Sequence, residues 1–224
     1  MFLKIGRLFK FLIGFGILAV IACTVFYSKP IQRIFYPLLY QEYVFKYAEN
    51  YQVDPFLVAA VIRKESRYSP TAVSPTGARG LMQIMPDTAD WASRQLGIEF
   101  HQDLLFDPEY NIRMGCWYLR RLQDTFPDNL PVALASYNAG QGNVGRWLKE
   151  GVWNGELSHL NQIPFPETRI YVSKVLTYYR HYQRLYHGDM IRRNDGPTDL
   201  AVISHKITEI ILSIVSGKSG TRGS

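Results

Sequence analysis

The residue in this chain best placed to do chemistry is Glu65, in the stretch VIRKESRYSP from Val61 to Pro70. Helical spacing puts it three, four and seven residues after Ile62, Val61 and Val58, on the apolar stripe of its helix, while Arg63, Lys64 and Arg67 fall elsewhere around the wheel. A carboxyl on such a stripe resists ionisation, because burial penalises the charged form and the negative end of the helix dipole adds repulsion. Both effects raise its pKa, as a group that must hold a proton near neutrality and give it to a leaving oxygen requires. The same spacing also suits a structural ion pair with Arg63, Arg67 or Arg79. Position alone leaves both readings open.

Other chemistries have weaker support. The two cysteines, Cys23 and Cys116, do not suggest an intrachain disulfide, since Cys23 falls in an apolar N-terminal run. Cys116 reads as a small buried hydrophobe, with His101 the only base near it in sequence. Metal-ligand spacing is absent, so neither a metal nor another cofactor is expected. The Gly-Lys-Ser at 217–219 is not a phosphate loop: that motif needs a glycine at 212, where leucine stands, and a preceding strand.

The elements that must position Glu65 are helices. Asp54 followed by Pro55 is a strong helix start, an N-cap side chain before proline at the first helical position, and the helix it opens carries Glu65 to about Arg67. Pro70, Pro75, Gly77 and Gly80 then exclude a continuous helix. Further helices are expected from Pro86 to Leu96, from Pro108 along a long amphipathic run, from Leu130 to Ala139, after the glycine-rich turn near Gly140, and from Pro166 to about Gly188. No period-two alternation appears, so the fold class is mainly α.

The ends differ from the middle. Lys4, Arg7 and Lys10 precede an apolar run from Phe11 to Tyr27, close to the lower limit of about 17 residues for a membrane span. A single-pass anchor with its N-terminus cytoplasmic and the rest outside is the expectation. The alternatives are a cleaved signal sequence, with Ala19 and Ala22 as small residues, and a lipoprotein signal ending at Cys23. The expected organisation is an anchor or signal over 1–30, a helical lead-in over 31–53, a catalytic domain over 54–188, and a linker and tail over 189–224. The tail's apolar segment, 200–215, is a possible helix for an envelope protein partner. A net charge of +6 suits a membrane surface, a polyanionic wall or nucleic acid, but no nucleic-acid-binding motif accompanies it, so nucleic acid is not an expected partner.

Three separated blocks then alter the balance at Glu65. ESRYSPTAVSPTGARGLMQIMPDTA (65–89), ALASYNAGQGNVGRWL (133–148) and IPFPETRIYVSKVLTYY (163–179) together resemble, in this order, the lysozyme-like lytic transglycosylases of the soluble type, which cleave bacterial peptidoglycan. The resemblance implies a helical, goose-type lysozyme-like domain whose cleft holds a glycan strand. By position it implies that Glu65 is the sole catalytic acid, and that Ser74, Gln83, Met85, Tyr137, Asn138, Glu167 and Tyr171 contact the substrate. The residue types agree: a tyrosine offers an apolar face and a hydroxyl to a sugar, and amides offer donors and acceptors. Gly77, Gly80, Gly140 and Gly142 permit the tight backbone that would bring these side chains together.

Hydrolytic glycosidases generally need two carboxylates. The resemblance implies one: Glu65 protonates the oxygen between N-acetylmuramic acid and N-acetylglucosamine, then takes the proton from the C6 hydroxyl as a 1,6-anhydro ring closes. A muramidase of the same fold, with Glu167 as second carboxylate, and a catalytically silent wall-binding module are the alternatives.

Overall fold

In the computed structural model, residues 14–21 and 23–194 are described, with side chains to 189. The tail segment 200–215 and the basic residues before 14 lie outside the described residues. Among the described residues, eight α-helices follow the apolar N-terminal segment: α1 Lys29–Phe35, α2 Gln41–Asn50, α3 Pro55–Glu65, α4 Pro86–Leu96, α5 Pro108–Thr125, α6 Leu130–Ala139, α7 Gln141–Lys149 and α8 Pro166–Asn194. Short 3-10 helices lie at Gln102–Phe106 and Leu157–Gln162. No strand occurs among the described residues; two isolated bridges, Val73 with Arg79 and Arg79 with Ile84, pin the segment between α3 and α4.

The helix starts follow the cap chemistry. Asp54 accepts a hydrogen bond from the Phe56 amide and Asp107 one from the Tyr110 amide, each before a proline, so two otherwise orphaned donors are satisfied. Gly97 ends α4 in the left-handed conformation. At the other end of the chain, α8 runs past the expected stop at Gly188 to Asn194. A glycine inside a helix costs only about 1 kcal/mol, too little to break a run of good helix formers. The interval 151–165 contains the second 3-10 helix.

The chain divides into two compact units, Met1–Gln183 and Arg184–Ser224. In the first, α3 is the core helix. Every residue from Phe56 to Ile62 is at most 2% exposed, so the helix is apolar on all sides, and polarity begins at Arg63. Packed around it, α2 contributes Val44, Tyr47 and Ala48 to the core and extends that unit N-terminal of Asp54. Cys116 is buried on α5, and burial pushes its thiol pKa up, which suits an inert hydrophobe.

No single helix among the described residues is long and apolar enough to cross a membrane. Helical residues 14–26 and α1 pass that test only as a pair, bent by 60° between them.

Candidate active site

Glu65 is the last residue of α3, where the buried helix reaches a cavity. Ser66 caps the end: its amide donates to the Ile62 carbonyl at 3.0 Å and its hydroxyl to the Leu81 carbonyl at 2.8 Å. Arg67 and Tyr68 then take left-handed φ values of 53° and 67°, which swing the chain away and leave Glu65 at the edge of the core.

A buried side chain helps to hold the segment beyond. Asn111, fully buried on α5, accepts from the Met82 amide at 2.7 Å and donates to the carbonyls of Arg79 at 2.9 Å and Leu105 at 2.8 Å. Gly80 has φ +74°, and a Cβ there would lie 2.1 Å from the Leu105 carbonyl oxygen, so only glycine fits beneath Asn111. This staple fixes Gln83, itself at φ 50°. The Gln83 amide nitrogen donates to the carbonyls of Ala72 at 3.1 Å and Gly80 at 2.9 Å. Both partners are acceptors, so Gln83 can offer a ligand only its carbonyl oxygen, not the donor and acceptor its type suggests. Gly142, expected to help this convergence, sits inside α7 without positive φ.

Seven of the eight residues singled out in the sequence line one cavity of about 560 Å³: Glu65, Ser74, Gln83, Met85, Tyr137, Asn138 and Glu167. They come from the end of α3, the pinned segment, the N-cap of α4, the last turn of α6 and the first turn of α8. Ser74 closes the turn before Ala78, accepting from its amide at 3.0 Å, and hydrogen-bonds to Thr76 at 2.9 Å. Asn138 accepts from the buried Thr168 hydroxyl at 2.7 Å, which leaves its NH2 group as a donor. The Tyr137 hydroxyl donates to the Met82 carbonyl at 2.9 Å, so this tyrosine presents its ring rather than a free hydroxyl proton.

Tyr171 is the exception. It is fully buried and does not line the cavity; its ring lies parallel to that of Tyr137, centroids 6.4 Å apart, with the Lys64 ammonium 5.1 Å from its centroid. Its hydroxyl is buried beside Glu65 without closing a hydrogen bond of regular geometry, and still favours the carboxylate form. The reason is depth: four residues after Glu167 on α8, it points toward α3 and the core. Residues not singled out in the sequence also reach the wall, Thr76, Ala78, Phe165 and Thr168 among them. Phe165 and Thr168 lie within the third block, but residue type alone did not mark them.

Electrostatically the site centres on Glu65. Burial pushes its pKa up to about 7, opposed by the Tyr171 hydroxyl and the Lys64 charge and assisted by the negative charge of Glu167. No ion pair joins Glu65 to Arg63, Arg67 or Arg79 among the described residues; Arg63 donates to the Phe35 carbonyl and Arg79 pairs with Asp103. Burial also pushes the Tyr137 and Tyr171 hydroxyls well above their ordinary values. The site therefore holds one carboxyl protonated near neutrality, an acceptor at Gln83 and a donor at Asn138, and a second, exposed carboxylate at Glu167.

Comparison with known proteins places this geometry. The chain is 37% identical over 157 residues to the soluble lytic murein transglycosylase of Escherichia coli (strain K12), covering 69% of this chain and 24% of the relative. It is 34% identical over 169 residues to the membrane-bound lytic murein transglycosylase F of Shewanella pealeana, covering 69% of this chain and 33% of that one. The crystal structure of the 70-kDa soluble lytic transglycosylase from Escherichia coli matches with a TM-score of 0.65 at 35% identity, over 69% of this chain and 25% of that one. An inactive Glu-to-Gln mutant of the Pseudomonas aeruginosa lytic transglycosylase matches at 0.62 and 36%, over 68% and 25%. The chain thus spans about a quarter of the length of the soluble relatives and shares their mainly helical, lysozyme-like fold. Residues 42–158 match the Transglycosylase SLT domain, more than half of the chain, and the chain belongs to that family.

Proposed function

We propose that this chain is a peptidoglycan lytic transglycosylase, cleaving the β-1,4 bond from N-acetylmuramic acid to N-acetylglucosamine and leaving a 1,6-anhydromuramic acid end. The observation that carries the reading is Glu65, a carboxyl raised to about 7 by burial at the wall of a cavity that also holds Ser74, Gln83, Met85, Tyr137, Asn138 and Glu167. Protonated Glu65 donates to the glycosidic oxygen as the C1–O bond breaks. The sugar C6 hydroxyl then attacks C1 and returns its proton to Glu65, so no water is consumed. Asn138 donates to and Gln83 accepts from the substrate's amide and hydroxyl groups. Burial keeps Glu65 protonated, assisted by the negative charge of Glu167, which also stabilises the cationic sugar. Tyr171 acts from behind, on the position and charge of Glu65.

The test is product analysis. Purified peptidoglycan digested by the protein should release fragments with anhydro ends by mass spectrometry, and Glu65→Gln should release none. Reducing ends would favour the muramidase reading, for which the presence of Glu167 in the same cavity is the supporting observation. Retained function in Glu65→Gln would favour a silent wall-binding module. In the Pseudomonas aeruginosa relative, a Glu-to-Gln change gives an inactive form.

We also place the protein at the membrane, anchored through its N-terminal segment with the catalytic unit on the extracytoplasmic side. Support comes from the apolar run ahead of α1 and from relatives named as membrane-bound. Glycan strands are the substrate partner, and an envelope protein at the C-terminal tail is a second.

A further inference from the structure

Of the exposed large apolar side chains among the described residues, two line the Glu65 cavity: Met85 and Phe165. A methionine fills space adaptably, whereas a phenyl ring presents one flat face. Phe165 is 44% exposed, yet its surroundings hold it firmly. The indole of Trp147, itself only 4% exposed, meets its ring edge to face with centroids 5.0 Å apart at 82°. Pro166 follows it and restricts its backbone, and Pro164 precedes it. Arg169 fixes the segment twice: its amide donates to the Phe165 carbonyl at 3.2 Å, and its guanidinium donates to the Ile163 carbonyl.

An apolar ring held rigid while left open to solvent contributes little to folding and is already ordered for a ligand, so binding loses little further entropy there. The cavity's other groups fix what that ligand must look like. Ser74, Thr76, Gln83, Asn138 and Thr168 are polar and uncharged, Glu65 and Glu167 bring the carboxyls, and Phe165 is flat and apolar. A pyranose in a β-1,4 strand has both characters, with C–H bonds on its ring faces and polar substituents around its rim. A stem peptide has no such flat face.

We propose that Phe165 is a sugar-stacking residue: it carries the C–H face of one N-acetylhexosamine ring of the strand and orients its substituents toward Asn138 and Gln83, with Trp147 and Arg169 as positioning residues. This rests on the transglycosylase reading above and adds to it the residue that selects a bare glycan ring.

The test is titration of Glu65→Gln full-chain protein with a β-1,4-linked N-acetylglucosamine oligomer and with glycan strands stripped of stem peptides, followed by calorimetry, with melting recorded in parallel. In that background Phe165→Ala and Phe165→Leu should each weaken binding by about threefold to tenfold, and Phe165→Trp should retain it. Leucine preserves apolar packing on Trp147 without a flat face, so Phe165→Leu should melt close to its parent while binding as weakly as Phe165→Ala. In the Glu65-containing protein, Phe165→Leu should raise KM by a similar factor with kcat and the Glu65 pH limb little changed. Parental affinity in both Phe165→Ala and Phe165→Leu would overturn the proposal, as would parental affinity in Phe165→Leu alone, which would assign the site to apolar bulk. Failure of the Glu65→Gln parent to bind either glycan would instead overturn the transglycosylase reading, and this inference with it.

Discussion

At the scale of single residues, Glu65 governs the pH behaviour. Its carboxyl titrates near 7 in the folded protein against 4.5 ordinarily, so between those values the folded state keeps a proton that the unfolded chain has released. The associated stability is fully present below about pH 4.5 and is lost as pH rises through about 7. Ionisation of the buried group then costs the folded protein at most on the order of 3 kcal/mol. Glu65→Gln removes that cost, so the variant should melt above the wild type at about pH 8 and level with it at about pH 4, a comparison differential scanning calorimetry makes directly. Activity moves with the same proton: kcat/KM should fall with unit slope above about pH 7, as the acid form disappears. The position of Glu65 was legible from its spacing after Val58, Val61 and Ile62. The depth of Tyr171 was not, because a helical period gives direction around an axis and not distance from a surface. Nor could the sequence show that the donor capacity of Gln83 is spent on Ala72 and Gly80, two carbonyls brought to it only by the fold.

At the scale of elements, the helices were legible wherever caps and prolines mark them, as at Asp54, Asp107 and Gly97. Between α3 and α4 the sequence signalled only a turn-rich segment, and what orders it is remote: Asn111, 29 residues beyond Met82. Asn111→Ala would strand the Met82 amide and the Arg79 and Leu105 carbonyls, and should destabilise the fold by at least about 3 kcal/mol in urea denaturation. Two nearby glycines separate strain from collision. Gly77 has φ +91° with open space at its Cβ position, whereas Gly80 has φ +74° with Leu105 and Asn111 in the way. Gly77→Ala should therefore cost about 1–2 kcal/mol, and Gly80→Ala distinctly more, with loss of activity as Gln83 is displaced. Equal effects in the two variants would mean that backbone conformation alone, and not the Asn111 staple, sets the segment.

At the scale of the whole molecule, the first compact unit takes in more than the region of motifs. From the last residue of α1 onward, the chain is tied to the two helices that carry the carboxyls. Arg63 of α3 donates to the Phe35 carbonyl at 2.9 Å, and the Tyr182 hydroxyl of α8 donates to the Pro37 carbonyl at 3.0 Å. Between them Tyr36 stacks on His181, centroids 4.7 Å apart. The helical tendency of the lead-in was legible, but its attachment was not, since Arg63 and Tyr182 are distant in sequence. If the apolar segment before α1 resides in a bilayer, these contacts fasten the chain to the catalytic unit from Phe35 onward, and full-length protein should resist extraction from membranes by alkaline carbonate while remaining active on added glycan strands. Replacing Phe15, Leu18 and Val25, each more than half exposed, by serine should release it to the soluble fraction. Because those side chains lie outside the core, melting of the released protein should match that of the parent. Release accompanied by a lower melting temperature would show instead that the apolar segment packs on the protein, and the anchor reading would fall.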